Sequence, residues 1–346
     1  MSKKPFYPGL AVVTGAGSGI GRGTAKALAE CGAEVIVADI DLDSARDAAL
    51  EIRRLGGVAH PYRLDVADTP ALEAFAEQVR TEHGVPDVVV NNAGILVGGP
   101  LIDVPLRDFE RITDINLMAM IHGCRVFGAQ MVERGHGGHL VNISSMAAFA
   151  AAPYTGPYSI SKYAVKHFSD CIRAEFAAHD IGVTAICPGL IATNLSNSMK
   201  ADGILDAEQS ELTRTLMLKG QALLGQHPDK AGQSIVNAIR RNIAVEPIRP
   251  EARIARQVTR FAPGLVRFAM TQAGRRDVRK LRDTVAGPQA IARAGQLVER
   301  LPFRSGNGVH TANGALNTKL DALAVEIPIP ATVPASESVS NKESSL

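Results

Sequence analysis

The amino-acid sequence predicts an α/β fold in which a doubly wound parallel sheet carries helices on both faces. Short runs rich in β-branched residues alternate with stretches of helical apolar spacing as far as residue 248. The runs are apolar throughout, which is typical of strands covered on both faces, and the strand–helix–strand order implies right-handed crossovers. The predicted strands cover residues 10–13, 34–38, 58–64, 86–90, 139–143, 183–186 and 243–248.

Helical spacing between the strands, and a change of composition after them, predict how the chain is organised. We expect one domain over 1–248, in which the polar stretch 190–225 covers a site. Residues 249–304 carry 13 Lys/Arg against four Asp/Glu, and their apolar spacing predicts a basic helical extension packed on the domain. Peripheral contact with an anionic membrane is the alternative. Residues 305–346 are rich in Gly, Asn, Ser and Pro and are predicted to be disordered.

Composition and charge exclude several classes of protein. Hydrophobic residues make up 46% and charged residues 21% of the 346 residues, the profile of a globular domain. A net charge of +2 does not indicate the concentrated basic face that a nucleic-acid partner needs. The four cysteines include no C-x-x-C pair, which favours reduced thiols. Without a signal-peptide core or about 18 consecutive apolar residues, the chain is predicted to be cytoplasmic.

A glycine-rich turn follows the first predicted strand. Open backbone N–H groups at a helix start, together with the helix dipole, favour a pyrophosphate at such a turn. The spacing is T-G-x-x-x-G-x-G, because Ile20 stands where the general dinucleotide fingerprint has its last glycine. The alternative is an ordinary tight strand-to-helix turn. The predicted cofactor-binding residues here are Gly15, Gly17, Ser18, Gly19, Ile20 and Gly21.

Asp39 ends the second predicted strand, about 20 residues beyond the glycine turn. A carboxylate there can accept hydrogen bonds from both adenosine-ribose hydroxyls and would repel a 2′-phosphate. Neither Ala16 nor Ser18 supplies a cation to offset that phosphate. The pattern therefore predicts NAD rather than NADP. The alternative is a helix cap, for which Asp41 and Asp43 are equally available.

Three residues form the predicted catalytic group. Tyr158 and Lys162 are four residues apart, so they share one face if Pro157 opens a helix. An ammonium beside a phenol lowers the phenol's pKa, which lets the tyrosine exchange a proton with a substrate oxygen. Ser145 ends a predicted strand, where its hydroxyl could hold the same oxygen. An isolated Y-x-x-x-K is more often a surface pair, but here it accompanies the glycine turn and the serine.

These motifs resemble the short-chain dehydrogenase/reductase family of the classical type, over roughly residues 8–245. The resemblance implies a Rossmann-type fold over 1–248 that binds NAD and catalyses hydride transfer. Asn116 would complete a catalytic tetrad with Ser145, Tyr158 and Lys162, fixing a water that links the lysine to solvent, and Lys162 would hold the nicotinamide ribose. The family's further cofactor-binding positions fall here on Asp65, Val66, Asn92, Ala93, Gly94, Tyr158, Lys162, Pro188, Gly189, Ile191 and Thr193.

The substrate and the assembly are predicted only by class. A mostly apolar lining favours a hydrophobic or cyclic secondary alcohol or its ketone. Apolar residues on more than one face of the predicted helices 112–131 and 158–178 favour a homodimer or homotetramer, since relatives join two subunits through these helices. His136 and His139 flank a turn without a third ligand nearby, so no metal is expected. The predicted substrate-pocket residues are Leu96, Met146, Phe149, Tyr154 and Leu195.

Two other classes of function remain as alternatives. A non-catalytic NAD-binding sensor or scaffold would keep the fold, but it would be expected to lose at least one member of the tetrad. An epimerase or dehydratase of the extended type would suit a length near 350 residues. That type has a different glycine spacing and normally lacks the pattern at 91–94. The sequence therefore favours an NAD-dependent alcohol dehydrogenase or ketone reductase.

Overall fold

A computed structural model describes residues 8–150, 152–193 and 225–275 of the chain. All of these residues belong to one compact unit, Met1–Pro288. The predicted cover lies mostly outside the described residues, as do positions 276–304 of the extension and the whole predicted tail. The strands are β1 Leu10–Thr14, β2 Glu34–Asp39, β3 Val58–Arg63, β4 Val88–Asn91, β5 Gly138–Ile143, β6 Ile181–Pro188 and β7 Val245–Ile248.

The described helices lie between and after these strands. A π-helical turn, Asp114–Met118, joins α4 to α5. The helices are α1 Gly19–Ala29, α2 Leu42–Arg54, α3 Thr69–Glu82, α4 Leu106–Thr113, α5 Ala119–Arg134, α6 Gly156–Phe176, α7 Pro228–Arg240, α8 Pro250–Phe261 and α9 Pro263–Arg275.

The strands form one parallel sheet in the order β3-β2-β1-β4-β5-β6-β7. Strand β1 pairs with both β2 and β4, so it lies in the interior of the sheet, and the later strands are added on both sides of it. Ligands of open α/β sheets bind at the carboxyl ends of the strands, where the order reverses. In this sheet the reversal lies between β1 and β4. The structure confirms the predicted fold class.

The two faces of the sheet have separate apolar cores. Residues of a strand point alternately to opposite faces, and the buried side chains of β1 follow this rule. Val13 packs in the core that contains Leu28 of α1, Ile52 of α2 and Ile235 of α7. Val12 packs in the core that contains residues of α3, α5 and α6. Helices therefore cover both faces, and the central strands are buried.

Strand β3 departs from the prediction that every strand is apolar and covered on both faces. It lies at the edge of the sheet, and its sequence, VAHPYR, has only one buried residue, Ala59. An edge strand has a neighbour on one side only and has less apolar surface to bury, so polar side chains are tolerated there. The polar residues His60 and Tyr62 are therefore only partly buried at this edge.

The described part of the C-terminal extension is helical. Helix α8 contacts the last strand, since the Arg253 Nε and Arg256 Nη1 atoms donate hydrogen bonds to the carbonyls of Pro247 and Val245. Its Glu251 accepts a hydrogen bond of 2.9 Å from the backbone N–H of Leu190. No helix in residues 8–150, 152–193 and 225–275 is long and apolar enough to cross a membrane. The exposed apolar side chains of α8 and α9 are Ile254, Phe261, Leu265 and Phe268.

Candidate active site

A cleft of about 530 Å³ lies at the carboxyl ends of the strands, at the point where the strand order reverses. Its walls come from the glycine turn, the ends of β2, β4 and β5, the start of α6 and the segment after β6. The cleft includes all the predicted cofactor-binding residues except Gly17 and Gly21. The fold thus brings together residues that are spread over almost 180 positions of the chain.

The glycine turn leaves the start of α1 open to an anion. Ser18 is the N-cap residue, but its side chain makes no capping hydrogen bond, and the first turn contains no acidic residue. The first N–H groups of a helix have no partner within the helix, and they carry the positive end of the helix dipole. At Gly15, where φ is +60°, a Cβ atom would lie 2.9 Å from the Cα of Ala93. The turn therefore fits a pyrophosphate.

The Asp39 carboxylate is held at the wall of the cleft by two backbone N–H groups. Gly17 donates to Oδ2 over 2.9 Å, and Asp41 donates to Oδ1 over 3.1 Å. The cap of α2 is Asp41, whose side chain accepts a hydrogen bond from the N–H of Asp43. The alternative that Asp39 is the helix cap is therefore not what the structure shows. Its carboxylate faces the space that a dinucleotide would occupy.

The segment after β4 is tied to the glycine turn. The Asn92 side chain donates from Nδ2 to the carbonyl oxygens of Thr14 and Gly15, over 2.8 and 3.0 Å. The backbone N–H groups of Asn92 and Ala93 both donate to the Thr14 hydroxyl. These four bonds fix two walls of the cleft relative to each other. Asn92 thus has a positioning role that its place in the motif did not specify.

Asn116 lies behind the wall of the cleft rather than on it. It sits in the π-helical turn and is only 2% exposed. Its Nδ2 donates to the Ile95 carbonyl over 3.0 Å and to the Ser161 hydroxyl over 3.1 Å. Its Oδ1 accepts from the Ile95 N–H over 2.8 Å. A Cβ atom at Gly94 would lie 3.1 Å from this Oδ1 and 3.3 Å from the Lys162 Nζ, so Asn116 and Lys162 both approach Gly94 on the side where a side chain would stand.

Ser145, Tyr158 and Lys162 meet inside the cleft, as the sequence predicts. Helix α6 begins at Gly156 with a proline in its first turn, which brings Tyr158 and Lys162 to one face. The Lys162 Nζ lies 5.9 Å from the centroid of the Tyr158 ring and donates 2.9 Å to the Ile143 carbonyl. The Ser145 hydroxyl interacts with the Tyr158 hydroxyl and accepts a hydrogen bond from the Ala147 N–H over 3.1 Å.

The electrostatics of this group differ from the expectation that the lysine lowers the pKa of the tyrosine. Burial raises the pKa of Tyr158 above its ordinary value, and the hydrogen bond with Ser145 opposes that change only in part. Burial also lowers the pKa of Lys162 to about 8. Both shifts follow from removing the charged form of each side chain from water. Burial therefore dominates both residues in this structure.

The segment after β6 closes the cleft on its remaining side. Pro188, Gly189, Ile191 and Thr193 all line it. The segment is held by Gln226, whose carbonyl accepts from the Ala192 N–H and whose N–H donates to the Leu190 carbonyl. This arrangement brings four of the predicted cofactor-binding residues to the cleft.

The predicted substrate pocket is reproduced only in part. Leu96 lines the cleft, whereas Leu195 lies outside the described residues. Met146, Phe149 and Tyr154 do not line the cleft as the described residues form it. Phe149 packs instead against the buried Ala185, Cys187 and Val245. Additional lining residues that the sequence reasoning did not select are Ile40, Leu64, Ile95, Arg111, Ile115, Ile143, Ser144 and Leu190.

Some of these missed residues carried a usable signal. Ile40 directly follows Asp39, and Ile115 directly precedes Asn116, so neighbours of the motif residues could have been included. Arg111 is different, because its place on the wall depends on how α4 packs. Together the fold and this cleft define a Rossmann-like α/β protein in which a glycine turn, an aspartate and a tyrosine–lysine pair line one cleft.

Comparison with known proteins agrees with this class. The family model described as short chain dehydrogenase matches residues 9–203. The chain is 47% identical over 264 residues to a probable oxidoreductase, EphD, of Mycobacterium tuberculosis. That alignment covers 76% of this chain but only 44% of EphD. It is also 35% identical over 237 residues to the putative oxidoreductase SadH of the same organism. That alignment covers 68% of this chain and 83% of SadH.

A solved structure supports the fold. A short-chain dehydrogenase/reductase of Burkholderia phymatum in complex with NAD aligns with a TM-score of 0.69 at 24% identity, over 76% of this chain and 96% of that one. The chain therefore belongs to the short-chain dehydrogenase family, which confirms the resemblance found in the sequence. It spans less than half the length of the first of these relatives, 44%.

Proposed function

We propose that this protein is an oxidoreductase that transfers a hydride between NAD(H) and a secondary alcohol or its ketone. The observation that carries the proposal is the convergence of Ser145, Tyr158 and Lys162 in one cleft with the glycine turn. Two relatives at 47% and 35% identity are named as oxidoreductases, which supports the reaction class. A retained tetrad argues against a sensor or scaffold that has lost the chemistry.

The proposed cofactor is NAD rather than NADP. Asp39 supports this choice, because two backbone N–H groups fix its carboxylate where an adenosine ribose would lie. A fixed anion can accept hydrogen bonds from ribose hydroxyls, but it repels a phosphate. Asp65, Val66 and Thr193 line the same cleft and are the proposed further contacts of the cofactor. When bound, NAD supplies the carbon that accepts or returns the hydride.

The chain's own residues would handle the proton. In oxidation, the Tyr158 oxygen takes the proton of the substrate hydroxyl as the hydride leaves the carbinol carbon, and in reduction it returns that proton to the carbonyl oxygen. The Ser145 hydroxyl holds the same substrate oxygen. Lys162 would hold the nicotinamide ribose, and its ammonium would favour the phenolate against the effect of burial. Asn116 acts as a positioning residue, because it fixes the backbone of Ile95 beside the cleft.

The proposed substrate is a hydrophobic or cyclic secondary alcohol or its ketone. Leu96 and Leu190 line the cleft with apolar surface. Two further relatives are named as dehydrogenases, and one of these names specifies a hydroxylated substrate. One is 1-deoxy-11-beta-hydroxypentalenate dehydrogenase of Streptomyces avermitilis, 35% identical over 198 residues. The other is C alpha-dehydrogenase of a Sphingobium strain, 30% identical over 258 residues.

The test is a panel of cyclic, aromatic and steroidal secondary alcohols and their ketones, each assayed with NAD and with NADP by the absorbance of the reduced cofactor. We expect turnover of at least one cyclic substrate, with a higher kcat/KM for NAD. Turnover restricted to linear polar alcohols would overturn the substrate class. If the protein bound NAD but turned over no member of the panel in either direction, the sensor or scaffold alternative would replace the proposal.

The proposed assembly is a homodimer or a homotetramer. Exposed apolar side chains lie on the helices around the tetrad: Leu106 on α4, Met118 in the π-helical turn, and Ile160 and Tyr163 on α6. Such side chains are candidates for a subunit interface, because large apolar side chains are costly to expose to water. Light scattering should give at least twice the chain mass, and Ile160→Glu should lower it. A monomer at micromolar concentration would contradict the proposal.

A further inference from the structure

Three potential metal ligands converge at the edge of the sheet opposite the cleft. The Glu34 Oε1 atom lies 2.6 Å from His83 Nδ1 and 3.1 Å from His60 Nε2. The ligand atoms of all three side chains lie within 4.8 Å of one another. The two imidazole rings also stand close together, with their centroids 4.5 Å apart.

The register of the sheet explains this convergence. Glu34 opens β2, and His60 pairs with Ile36, two residues further along the same strand. Residues two apart on a strand share a face, so Glu34 and His60 point to the same side of the sheet. That side is covered by α3, because Ile36 packs in the core that contains α3 residues. His83 directly follows α3 as its C-cap and completes the group.

His60 carries the most informative atom of the cluster. Its Nε2 is buried and makes no hydrogen bond with any described residue, although it lies 3.1 Å from the Glu34 carboxylate. A buried polar atom without a hydrogen bond calls for a partner such as a water or an ion.

The second ring nitrogen of His83 supplies an independent observation. Its Nε2 forms a hydrogen bond of 2.8 Å with the Tyr62 hydroxyl, and this hydroxyl donates 2.6 Å to the Glu82 carboxylate. Metal-ligating histidines typically make such a bond through the nitrogen that does not bind the metal, which fixes the tautomer and the ring orientation. The chain from Glu82 through Tyr62 thus orients Nδ1 of His83 toward Glu34.

We propose that Glu34, His60 and His83 form a binding site for a divalent transition metal ion of the zinc class. Two imidazole nitrogens and a carboxylate oxygen are the donors that Zn²⁺ accepts, with water as a fourth ligand. Bonds of about 2.0–2.1 Å in a tetrahedron put the donor atoms roughly 3.3 Å apart. The spacing of Glu34 and His60 already approaches this value. The shorter contact between Glu34 and His83 must open, and the half-exposed Glu34 side chain can move to allow it.

The site is structural in this proposal, because it lies away from the reacting groups. Glu34 and Asp39 are the first and last residues of β2, so about 16 Å separates them along the strand. The ion would join the start of β2, the edge strand β3 and the end of α3. It would therefore stabilise an edge of the sheet without taking part in turnover.

The test is a titration of the purified, tag-free and chelator-treated full chain with Zn²⁺ in a calorimeter. We expect one equivalent of Zn²⁺ to bind and to raise the unfolding temperature, since a ligand of the folded state stabilises it. Co²⁺ should replace Zn²⁺ with the visible absorption of a tetrahedral site. Glu34→Gln and His60→Gln should each weaken the affinity for Zn²⁺ at least tenfold and abolish that absorption.

His122 offers a matched control. Its Nε2 is also buried without a hydrogen bond and lies 3.3 Å from a carboxylate, that of Glu73, but the pair has no third donor among the described residues. His122→Gln should therefore leave Zn²⁺ binding unchanged. Unfolding of each metal-free variant shows whether that variant is folded. Glu34→Gln keeps the size and shape of the side chain, so it carries the test should His60→Gln fail to fold. Absence of Zn²⁺ binding, or equal affinity in wild type and Glu34→Gln, would overturn the proposal.

Discussion

Ionisable side chains are handled differently at the two ends of the sheet. At the carboxyl ends, Tyr158 and Lys162 are buried, and the described residues give Lys162 a backbone carbonyl as its partner rather than a carboxylate. At the amino ends, charged groups are paired. Arg134 contacts Asp87 over 2.9 Å, and Glu34 contacts His83 over 2.6 Å. The same sheet thus carries uncompensated groups on one side and compensated groups on the other.

This difference indicates what each end is for. A buried charge without an opposite charge destabilises the folded chain and shifts its own pKa, so it is retained where a reaction needs it. Burial of two oppositely charged groups as a pair costs less free energy, and such pairs serve mainly to hold elements of the fold together. Asp87 shows this, since it also accepts hydrogen bonds from the backbone N–H groups of Gly9 and Leu10 at the start of β1. A buried lysine without a carboxylate partner, Lys162, thus distinguishes the reactive end of the sheet.

The largest expected effect comes from removing one hydroxyl at the carboxyl ends. Tyr158→Phe should lower kcat/KM by a factor of about 10² or more, because it deletes a positioned acid/base while leaving the ring in place. NAD binding, measured by calorimetry, should change little. Tyr163→Phe is the control, since Tyr163 is 57% exposed and stacks on His167 away from the cleft. Equal turnover in the two variants would remove the proposed mechanism.

The next effect concerns the choice of cofactor. Asp39→Ala should reduce the ratio of kcat/KM for NAD to that for NADP by about tenfold or more, because it removes the acceptor of ribose hydroxyls and the anion that repels a 2′-phosphate. Asp43→Asn is the control, since Asp43 is an exposed carboxylate of α2 that pairs with Arg46 instead of facing the cleft. A ratio that stays the same in Asp39→Ala would show that other residues select the cofactor.

The sequence predicted most of the cleft because its signals are local. The glycine turn, Asp39 and the Tyr158/Lys162 pair each lie within one short segment, and a parallel sheet brings the carboxyl ends of its strands together. The family prediction is likewise confirmed. The roles of the individual residues stay predictions.

What the sequence did not predict depends on contacts between distant segments. Phe149 follows Ser145 closely, yet it packs against residues of β6 and β7, because a short 3₁₀ helix, Met146–Ala148, separates the two residues. The upward shift of the Tyr158 pKa reflects burial by several elements, which a Y-x-x-x-K spacing cannot express. The group of Glu34, His60 and His83 exists only through the register of two strands and the end of a helix. No local pattern indicates it.

A third prediction tests a buried histidine near the amino ends of the strands. Burial and, secondarily, Arg173 lower the pKa of His139 to about 4. Between pH 7 and pH 5 the unfolded chain binds a proton at this residue and the folded chain does not, so the free energy of unfolding falls by about 2 kcal/mol. His139→Gln should remove that part of the loss, as measured by urea unfolding at both pH values. His136→Gln, on the exposed turn, should lose stability as the wild type does, and an identical loss in His139→Gln would contradict the assignment.

The smallest expected effect concerns the stability cost of Lys162 itself. Because burial lowers its pKa to about 8, the folded chain releases this proton at lower pH than the unfolded chain, in which the pKa is near 10.5. Stability therefore rises with pH from about 8, and the contribution of Lys162 should improve by about 1 kcal/mol between pH 7 and pH 9. Lys162→Met lacks this ionisation, so the difference in unfolding free energy between wild type and variant should shift in favour of the wild type over that interval.

Lys166 gives the comparison that isolates this effect. It lies one turn further along α6, but it is paired with Asp170 over 2.7 Å and is partly exposed. In cofactor-free protein, the difference in unfolding free energy between wild type and Lys166→Met should therefore stay nearly constant between pH 7 and pH 9. A difference between wild type and Lys162→Met that stays constant with pH would mean that the buried ammonium is compensated in the folded chain. The contrast between the two ends of the sheet would then not hold for this residue.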